Sequence, residues 1–195
     1  MKEYIILASK SKRRAQILSC CGIRHKVYRF NIKEYLDQSK DVRDLVVTNA
    51  KRKAEHAAKH YKNAIILGAD TLVLLSGRIA GKPKNKKEAL EFLKQSNASR
   101  LYVYTGLYLI NRKTNKSAGC YDETRIKVSK IAPKDIKKYF KSLGPYDKAG
   151  GFTIEGIGAI LFDNIKGSYF NVLGLPLIKL SSLLKKTGSD IFEFI

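Results

Sequence analysis

Short apolar runs alternate along this chain with longer segments whose apolar residues have helical spacing. Residues 3–8 (EYIILA) and 64–69 (AIILGA) are runs typical of buried strands, and 25–30 (HKVYRF) predicts a further strand. Between them, residues 42–60 repeat apolar positions every three or four residues, which predicts one long helix. The apolar stripe of that helix consists of Val46, Ala50, Ala54 and Ala57.

The rest of the chain continues this alternation of strands and helices. A hairpin that turns at Ser76-Gly77 is predicted within residues 71–81. Further strands are predicted at 100–111, 118–131 and 158–167. Further helices are predicted from Arg13 to a stop at Gly22, after an N-cap at Asn85, over 132–144 and over 175–186.

The composition is that of a soluble globular protein. The chain has 195 residues, of which 44% are hydrophobic, so we expect a single domain, 1–195, or one two-lobed unit. No run of about 18 apolar residues predicts a transmembrane helix, and the N-terminus does not have the form of a signal peptide. We therefore expect a cytoplasmic protein. Its three cysteines form no CxxC pair, so neither a zinc site nor a disulfide framework is indicated.

The net charge of +21, with a pI near 9.9, permits two interpretations. The first is nucleic-acid binding, because a strongly basic surface attracts phosphates. The second is a lysine-rich surface without a specific partner. Lysine supplies 28 of the 38 basic residues and is spread along the chain, whereas specific nucleic-acid readers rely more on arginine. Either way, a positive field would help to collect a polyphosphate substrate.

Asp70 lies inside an apolar segment, where a lone carboxylate is costly to bury unless it is paired. One interpretation is a functional carboxylate, with the small Gly68 and Ala69 leaving room for a ligand. The other is a strand-end aspartate that caps a turn. The residues themselves leave both interpretations open.

Several charged residues complete a possible phosphate and metal site around Asp70. Glu34 and Asp70 together could hold Mg²⁺, which prefers oxygen ligands and phosphate oxygens. Lys53 and Lys82 would flank the site, and Asp70 would activate water for attack on phosphorus. Lys82 lies in a Gly-Lys-Pro turn that would restrict it, although such a turn is also typical of a surface loop.

The first turn of the chain predicts an anion site. The hydroxyls of Ser9 and Ser11, the N–H groups of a helix start and the guanidiniums of Arg13 and Arg14 would converge there. No Walker-type GxxxxGK[ST] loop is present. The alternative is a serine N-cap followed by two solvated arginines.

The long helix places polar residues on its faces. Asn49 and Lys53, four residues apart, lie on the same side, and such a lysine either extends to solvent or points into a cleft. His56 and His60 also share a face, but zinc would need a third ligand. We therefore expect these histidines on a solvated helix surface.

Five segments, taken together, resemble the Maf proteins, which are nucleoside triphosphate pyrophosphatases once linked to septum formation. The segments are LASKSKRRAQIL, NAKRKAEHAA, ILGADTLVLLSGRIAGKPKNKKEALEFL, VYTGL and DKAGGFTIEGIGAILFDNIKGSYFNVLGLPL. The resemblance spans nearly the whole chain in order. It implies an α/β fold with two lobes around a central cleft and a long twisted mixed sheet flanked by helices, similar to the inosine triphosphate pyrophosphatases.

The resemblance also implies a chemistry. It implies a divalent metal, Mg²⁺ or Mn²⁺, and hydrolysis of a nucleoside triphosphate to monophosphate and pyrophosphate in a house-cleaning role. Asp70 matches the catalytic proton acceptor of the family. The polar positions that line the family's cleft are matched by Ser9, Arg13, Arg14, Glu34, Lys53 and Lys82.

Three positions bear on the choice of nucleotide. Arg13 and Thr71 match the branch that resembles dTTP/UTP pyrophosphatases, whereas Glu155 stands where that branch carries glutamine. The branch acting on 7-methyl-GTP tends to carry glutamate there, so a 7-methyl-GTP pyrophosphatase is the alternative. A carboxylate only accepts hydrogen bonds, whereas an amide also donates them, so Glu155 could change which base edge is read.

Two further classes of function are weighed against the enzyme. A basic nucleic-acid-binding module would bind nucleic acid with an affinity that falls steeply as the salt concentration rises, and it would show no turnover. A catalytically reduced family member would act through protein partners in division control, but Lys53, Asp70 and Lys82 argue against it. We expect a nucleoside triphosphate as substrate, a possible homodimer, no membrane association and at most nonspecific nucleic-acid binding.

Overall fold

The computed structural model of this protein describes residues 3–81, 83–143 and 154–195. The strands in these residues are β1 (Ile5–Ala8), β2 (His25–Tyr28), β3 (Ile65–Leu75), β4 (Arg78–Ala80), β5 (Arg100–Asn111), β6 (Lys116–Val128) and β7 (Phe162–Lys166). The α-helices are α1 (Lys12–Cys20), α2 (Val42–Ala58), α3 (Lys86–Ser96), α4 (Pro133–Ser142), α5 (Tyr169–Val172) and α6 (Leu177–Lys186). Short 3-10 helices cover Gly156–Leu161 and Ile191–Phe194.

The described strands form one mixed sheet in the order β2-β1-β3-β5-β6-β7, with β4 paired to β3. β1 runs parallel to both β2 and β3, whereas β3 with β4 and β6 with β7 are antiparallel. Helices alternate with the strands along the chain. The predicted α/β class with a mixed sheet is therefore confirmed.

The chain divides into two compact units. The first comprises Met1–Thr71, Tyr104–Asp122 and Phe170–Ile195, and the second comprises Leu72–Val103 and Glu123–Tyr169. The single domain 1–195 with two lobes around a cleft stays a prediction.

The core of the first unit is built around β1. All four residues of β1 are fully buried, because this strand is hydrogen-bonded on both sides and packs against α2. A continuous apolar run is typical of a parallel strand in that position. One buried cluster of this core consists of Ile6, Ala8, Ala54, Ala57, Ala64 and Ile66.

In the second unit, α3 packs against α4. The N-cap predicted at Asn85 is present, since its side chain accepts a hydrogen bond from the Glu88 N–H at 2.9 Å. At the other end of α3, Asn97 holds the main chain of Ile131 with two bonds. Its Nδ2 donates to the Ile131 carbonyl at 2.9 Å, and its Oδ1 accepts from the Ile131 N–H at 2.8 Å.

Two predicted segments differ from the structure. The strand expected at 64–69 continues without a break to Leu75, because its apolar residues pair with further strands on both sides of Asp70. The strand expected at 158–167 is a 3-10 helix over Gly156–Leu161 followed by β7. An apolar run alone does not distinguish a strand from a tight helix.

His56 lies in α2, whereas His60 follows the end of this helix at Ala58. The ring of His56 stacks on Phe30, with centroids 4.3 Å apart and planes 7° apart. His60 lies against Tyr28, with centroids 5.3 Å apart. His56 is half-buried against these aromatic rings, so the prediction of a solvated surface is wrong for His56, whereas His60 is exposed as predicted.

None of the helices in the described ranges has the length and apolar character needed to cross a membrane.

Candidate active site

Asp70 lies in the middle of β3 and is only 2% exposed. The alternative of a strand-end aspartate that caps a turn is therefore excluded. Its carboxylate has two side-chain partners from α2. Lys53 Nζ lies 2.5 Å from Oδ1, and Asn49 Nδ2 donates to Oδ2 at 3.1 Å. The buried carboxylate is thus paired, as its location requires.

Two glycines explain why α2 approaches Asp70 so closely. A Cβ atom at Gly68 would lie 2.0 Å from the carbonyl oxygen of Ala50, and one at Gly106 would lie 2.3 Å from that of Val46. The main chain of α2 therefore lies directly against β3 and β5. The expected space beside Gly68 is filled by the helix rather than by a ligand.

Lys53 joins a second carboxylate to this group. Its Nζ lies 2.8 Å from Glu34 Oε1, so one ammonium bridges Glu34 and Asp70. The Lys53 side chain is 10% exposed, whereas that of Glu34 is 40% exposed. The cluster is thus buried at Asp70 and open at Glu34.

Charge and burial shift the acidity of two groups in the site. Burial raises the pKa of Asp70, the Lys53 ammonium opposes that shift, and the Glu34 carboxylate adds to it. Burial lowers the pKa of Arg14, and the carboxylates of Asp70 and Glu34 oppose that shift. The guanidinium nevertheless remains charged, because arginine does not lose its proton in proteins. Asp70 therefore accepts a proton more readily than an exposed aspartate does.

Arg14 is 8% exposed and donates to four acceptors of the chain itself. Its Nε bonds to the Gly174 carbonyl at 2.7 Å, and Nη2 bonds to Thr71 Oγ1 at 2.9 Å. Its Nη1 bonds to Ser9 Oγ at 3.1 Å and to the Ala69 carbonyl at 3.0 Å. The alternative of two solvated arginines is therefore excluded for Arg14. Its guanidinium ties the first turn to the strand that carries Asp70.

The hydroxyl of Thr71 belongs to a chain of hydrogen bonds. Thr105 Oγ1 donates to the Asn171 carbonyl at 3.1 Å, so the hydroxyl hydrogen of Thr105 is committed. Thr71 Oγ1 lies 2.9 Å from Thr105 Oγ1 and must be the donor of that pair. Thr71 thus accepts from Arg14 and donates to Thr105, and its orientation is set by the protein.

The first turn combines a helix cap with a buried serine. Ser11 is the N-cap of α1, and its hydroxyl accepts a hydrogen bond from the Arg14 N–H at 3.3 Å. Ser9 is 6% exposed, and its Oγ also accepts a bond from the Ser11 N–H at 3.2 Å. Arg13 lies at the start of α1 and is half-buried.

The structure brings together six of the residues predicted for the site, all in the first unit: Ser9, Arg14, Glu34, Lys53, Asp70 and Thr71. Glu155 is exposed and belongs to the second unit. Lys82 lies outside the described residues. No role is predicted for Asn49 from the sequence, although helical spacing places it on the same side of the helix as Lys53.

The carboxylates of Glu34 and Asp70 have the chemistry that a divalent cation needs. Mg²⁺ and Mn²⁺ prefer oxygen ligands, and Mg²⁺ is commonly held by one or two carboxylates together with phosphate oxygens. The Lys53 ammonium between the two groups shows that a positive charge is favoured there. Within residues 3–81, 83–143 and 154–195, no three His, Cys, Asp or Glu side chains form a metal-binding group. Water and phosphate oxygens would therefore complete the coordination.

Fold and site together define an α/β protein with a buried, paired carboxylate of the kind found in enzymes that transfer protons. The model of the family described as "Maf-like protein" matches residues 4–187. The chain therefore belongs to the Maf-like protein family.

Relatives of similar length match almost all of the chain. A protein of Dictyoglomus turgidum named "dTTP/UTP pyrophosphatase" is 38% identical, with 98% of this chain and 100% of the relative covered. A protein of Methanosarcina barkeri with the same name is 36% identical, with 97% and 96% covered. Among solved structures, "The structure of the Staphylococcus aureus Ham1 protein" matches with 16% identity and a TM-score of 0.42, covering 65% of this chain and 72% of that one.

Proposed function

We propose that this protein hydrolyses a nucleoside triphosphate to its monophosphate and pyrophosphate, with dTTP and UTP as preferred substrates. The observation that carries the proposal is the buried Asp70 carboxylate bonded to Lys53, with Glu34 on the same ammonium. The near full-length similarity to proteins named dTTP/UTP pyrophosphatase supports the substrate class. Removal of noncanonical or excess nucleotides is the role that follows.

In the proposed reaction, water attacks the α-phosphorus of the nucleotide. Asp70 accepts one proton from that water as the new P–O bond forms, and the bond from the α-phosphorus to the bridging oxygen breaks. The electron pair of the broken bond leaves with pyrophosphate, and the other product is the nucleoside monophosphate. Burial suits Asp70 to this role, because it raises the affinity of the carboxylate for a proton.

The basic residues would bind and orient the triphosphate. Lys53 has its charge at the centre of the site, and Lys82 and Arg13 are proposed to contact phosphate oxygens. Arg14 and Ser9 would support this surface through their mutual hydrogen bond. Mg²⁺ or Mn²⁺ held by Glu34 and Asp70 would neutralise charge on the phosphates when bound.

The proposal is tested by measuring pyrophosphate release in Mg²⁺ or Mn²⁺ from dTTP, UTP, CTP, 5-methyl-UTP, GTP and 7-methyl-GTP. We expect turnover of dTTP and UTP, and a loss of at least about 100-fold in kcat in Asp70→Asn. Asp163→Asn is the matched control, because Asp163 forms an exposed ion pair with Lys127 at 2.5 Å in the second unit. Turnover in Asp70→Asn equal to that of the control would contradict the role of Asp70.

The same panel decides between the nucleotide classes. Glu155 is exposed, and a carboxylate at this position would favour a cationic methylated base. Turnover of 7-methyl-GTP in place of dTTP and UTP would make Glu155 the residue that sets the base. If none of the six nucleotides is hydrolysed, the enzyme proposal is overturned. Nucleic-acid binding, with an affinity that falls steeply as salt rises, then becomes the function to test.

A further inference from the structure

Asn49 and Lys53 are the buried polar residues of α2, and the proposed chemistry does not use Asn49. It is 1% exposed, yet an asparagine gains nothing from burial unless its amide finds partners. All of its described partners lie at the site. Nδ2 donates to Asp70 Oδ2 at 3.1 Å and to the Tyr35 carbonyl at 2.9 Å, and Oδ1 accepts from the Tyr35 N–H at 2.8 Å.

These partners fix the orientation of the Asn49 amide. Rotating the amide by 180° would place Oδ1 against a carboxylate oxygen of Asp70 and against the carbonyl oxygen of Tyr35. Both contacts would join two acceptors and would repel. The amide therefore has one favourable orientation, and in it each donor and acceptor serves a defined partner.

The clamp on Tyr35 acts on the segment that carries Glu34. Residues 29–37 form neither helix nor strand, so no ladder of main-chain bonds holds them. Tyr35 is 42% exposed, and Asn49 bonds to its main chain rather than to its side chain. Glu34, one residue earlier, reaches Lys53 at 2.8 Å. Asn49 therefore bonds to the main chain directly beside Glu34.

We propose that Asn49 is a positioning residue, whose single amide fixes the Asp70 carboxylate and the Glu34 segment relative to each other. With Oδ2 held by Asn49, Asp70 presents Oδ1 to Lys53. The same amide holds the peptide next to Glu34. This inference rests on the proposed function, because it gives Asn49 a part in arranging the two carboxylates that the reaction uses.

The chain offers a matched control for this role. Asn97 clamps the main chain of Ile131 with the same pair of amide bonds, at 2.9 and 2.8 Å, but it belongs to the second unit. Asn97→Leu therefore removes an equivalent clamp that touches no proposed site residue. Asn49→Leu keeps the approximate size of the side chain and removes the amide, and Asn49→Ser serves as a second variant if leucine prevents folding.

The test measures kcat and KM for dTTP or UTP together with hydrogen exchange of the peptide that covers residues 31–37. We expect Asn49→Leu and Asn49→Ser to lower kcat by about 10- to 100-fold, the range found for residues that orient ligating groups. We expect KM to change by less than about threefold, because the phosphate-binding cations are retained. Exchange at residues 31–37 should accelerate in these variants. Asn97→Leu should leave both kcat and that exchange unchanged.

The outcomes separate this inference from the proposed function. If the unmodified protein releases no pyrophosphate, the proposed function fails, whereas hydrogen exchange still reports whether Asn49 holds the segment. If the unmodified protein is active and both Asn49 variants keep its kcat, the positioning role is overturned. Faster exchange with an unchanged kcat would likewise overturn it, because the clamp would then serve stability alone.

Discussion

Lys53 Nζ lies 2.5 Å from Asp70 Oδ1, and the two side chains retain only 10% and 3% of their exposure. An ion pair so far removed from solvent differs from the surface pairs of this protein. Removing one partner leaves the other charge buried without compensation, which costs far more than the pair itself contributes.

The first prediction concerns the stability of this pair. Lys53→Met should lower the free energy of unfolding by about 3 kcal/mol, because Asp70 loses its main counter-charge. In the double variant with Asp70→Asn the loss should be smaller, since no buried carboxylate then remains unpaired. Chemical denaturation measures both. Lys51→Met is the control, because Lys51 and Glu55 are half exposed and 3.7 Å apart, and we expect a change below about 0.5 kcal/mol. Equal losses of stability in Lys53→Met and Lys51→Met would contradict the prediction.

The second prediction concerns the contact between α2 and β3. Gly68→Ala should destabilise the protein by about 3 kcal/mol, because the new Cβ would lie 2.0 Å from the Ala50 carbonyl oxygen and the helix would have to move. Movement of α2 also draws Lys53 away from Asp70, so kcat should fall with stability. Thermal unfolding and pyrophosphate release test the two effects.

The control for this substitution is Gly81→Ala, measured for stability alone. Among the described residues, chain neighbours aside, no atom lies within 4 Å of a Cβ built at Gly81, so the change should stay within about 0.5 kcal/mol. A Gly68→Ala protein as stable as Gly81→Ala would mean that the helix and strand can separate without loss.

The third prediction concerns the hydroxyl chain behind Thr71. Thr105 is fully buried, and Thr105→Val keeps its shape while leaving the Asn171 carbonyl and the Thr71 hydroxyl without this partner. We expect a loss of about 2 kcal/mol in stability. If Thr71 takes part in choosing the base, the ratio of kcat/KM for UTP and CTP should also change.

Thr124→Val is the matched control for the hydroxyl chain. Thr124 is also fully buried, and its hydroxyl donates to the Ser168 carbonyl at 3.0 Å within the second unit. It should lose stability without a change in the ratio for the two nucleotides. A ratio that shifts equally in both variants would show that the effect is not transmitted through Thr71.

The fourth prediction concerns the reactivity of Cys120. Burial raises the pKa of its thiol to about 11, and Lys179 and Lys186 only partly oppose that shift. Because the pKa is raised, the reactive thiolate is scarce at neutral pH and becomes abundant only as the pH approaches 11. At pH 8 about one molecule in a thousand would carry the thiolate. Iodoacetamide labelling followed by peptide mapping should therefore modify exposed Cys20 long before Cys120. Equal rates at pH 8 would contradict the shift.

The strands and helices that were predicted correctly are those whose pattern is visible in a few neighbouring residues. The four residues of β1 are a short apolar run, and α2 has a regular stripe, so both were predicted correctly. The N-cap at Asn85 was predicted for the same reason. By contrast, the 3-10 helix over Gly156–Leu161 lies in an apolar run that fits more than one structure.

The charged residues of the candidate site could be predicted, because a charge in an apolar segment is itself visible in the sequence. A carboxylate inside an apolar strand requires a partner, and Lys53 was expected to be near it. Asn49 was missed as a site residue because a neutral amide on a helix gives no local sign of what it bonds. Its partner Tyr35 lies in an irregular segment, where the sequence contains no pattern that fixes the path of the main chain.

At Gly68 and Gly106 the helix that carries Asn49 and Lys53 meets the sheet main chain to main chain, without side chains between them. The helix therefore cannot come closer to the strand, because the main-chain atoms of the two are already in contact. Substitutions elsewhere in the core change the volume of side chains but leave this contact between main-chain atoms in place. The distance from α2 to Asp70 is consequently little affected by substitutions elsewhere in the core, and a change at the two glycines themselves would alter it directly.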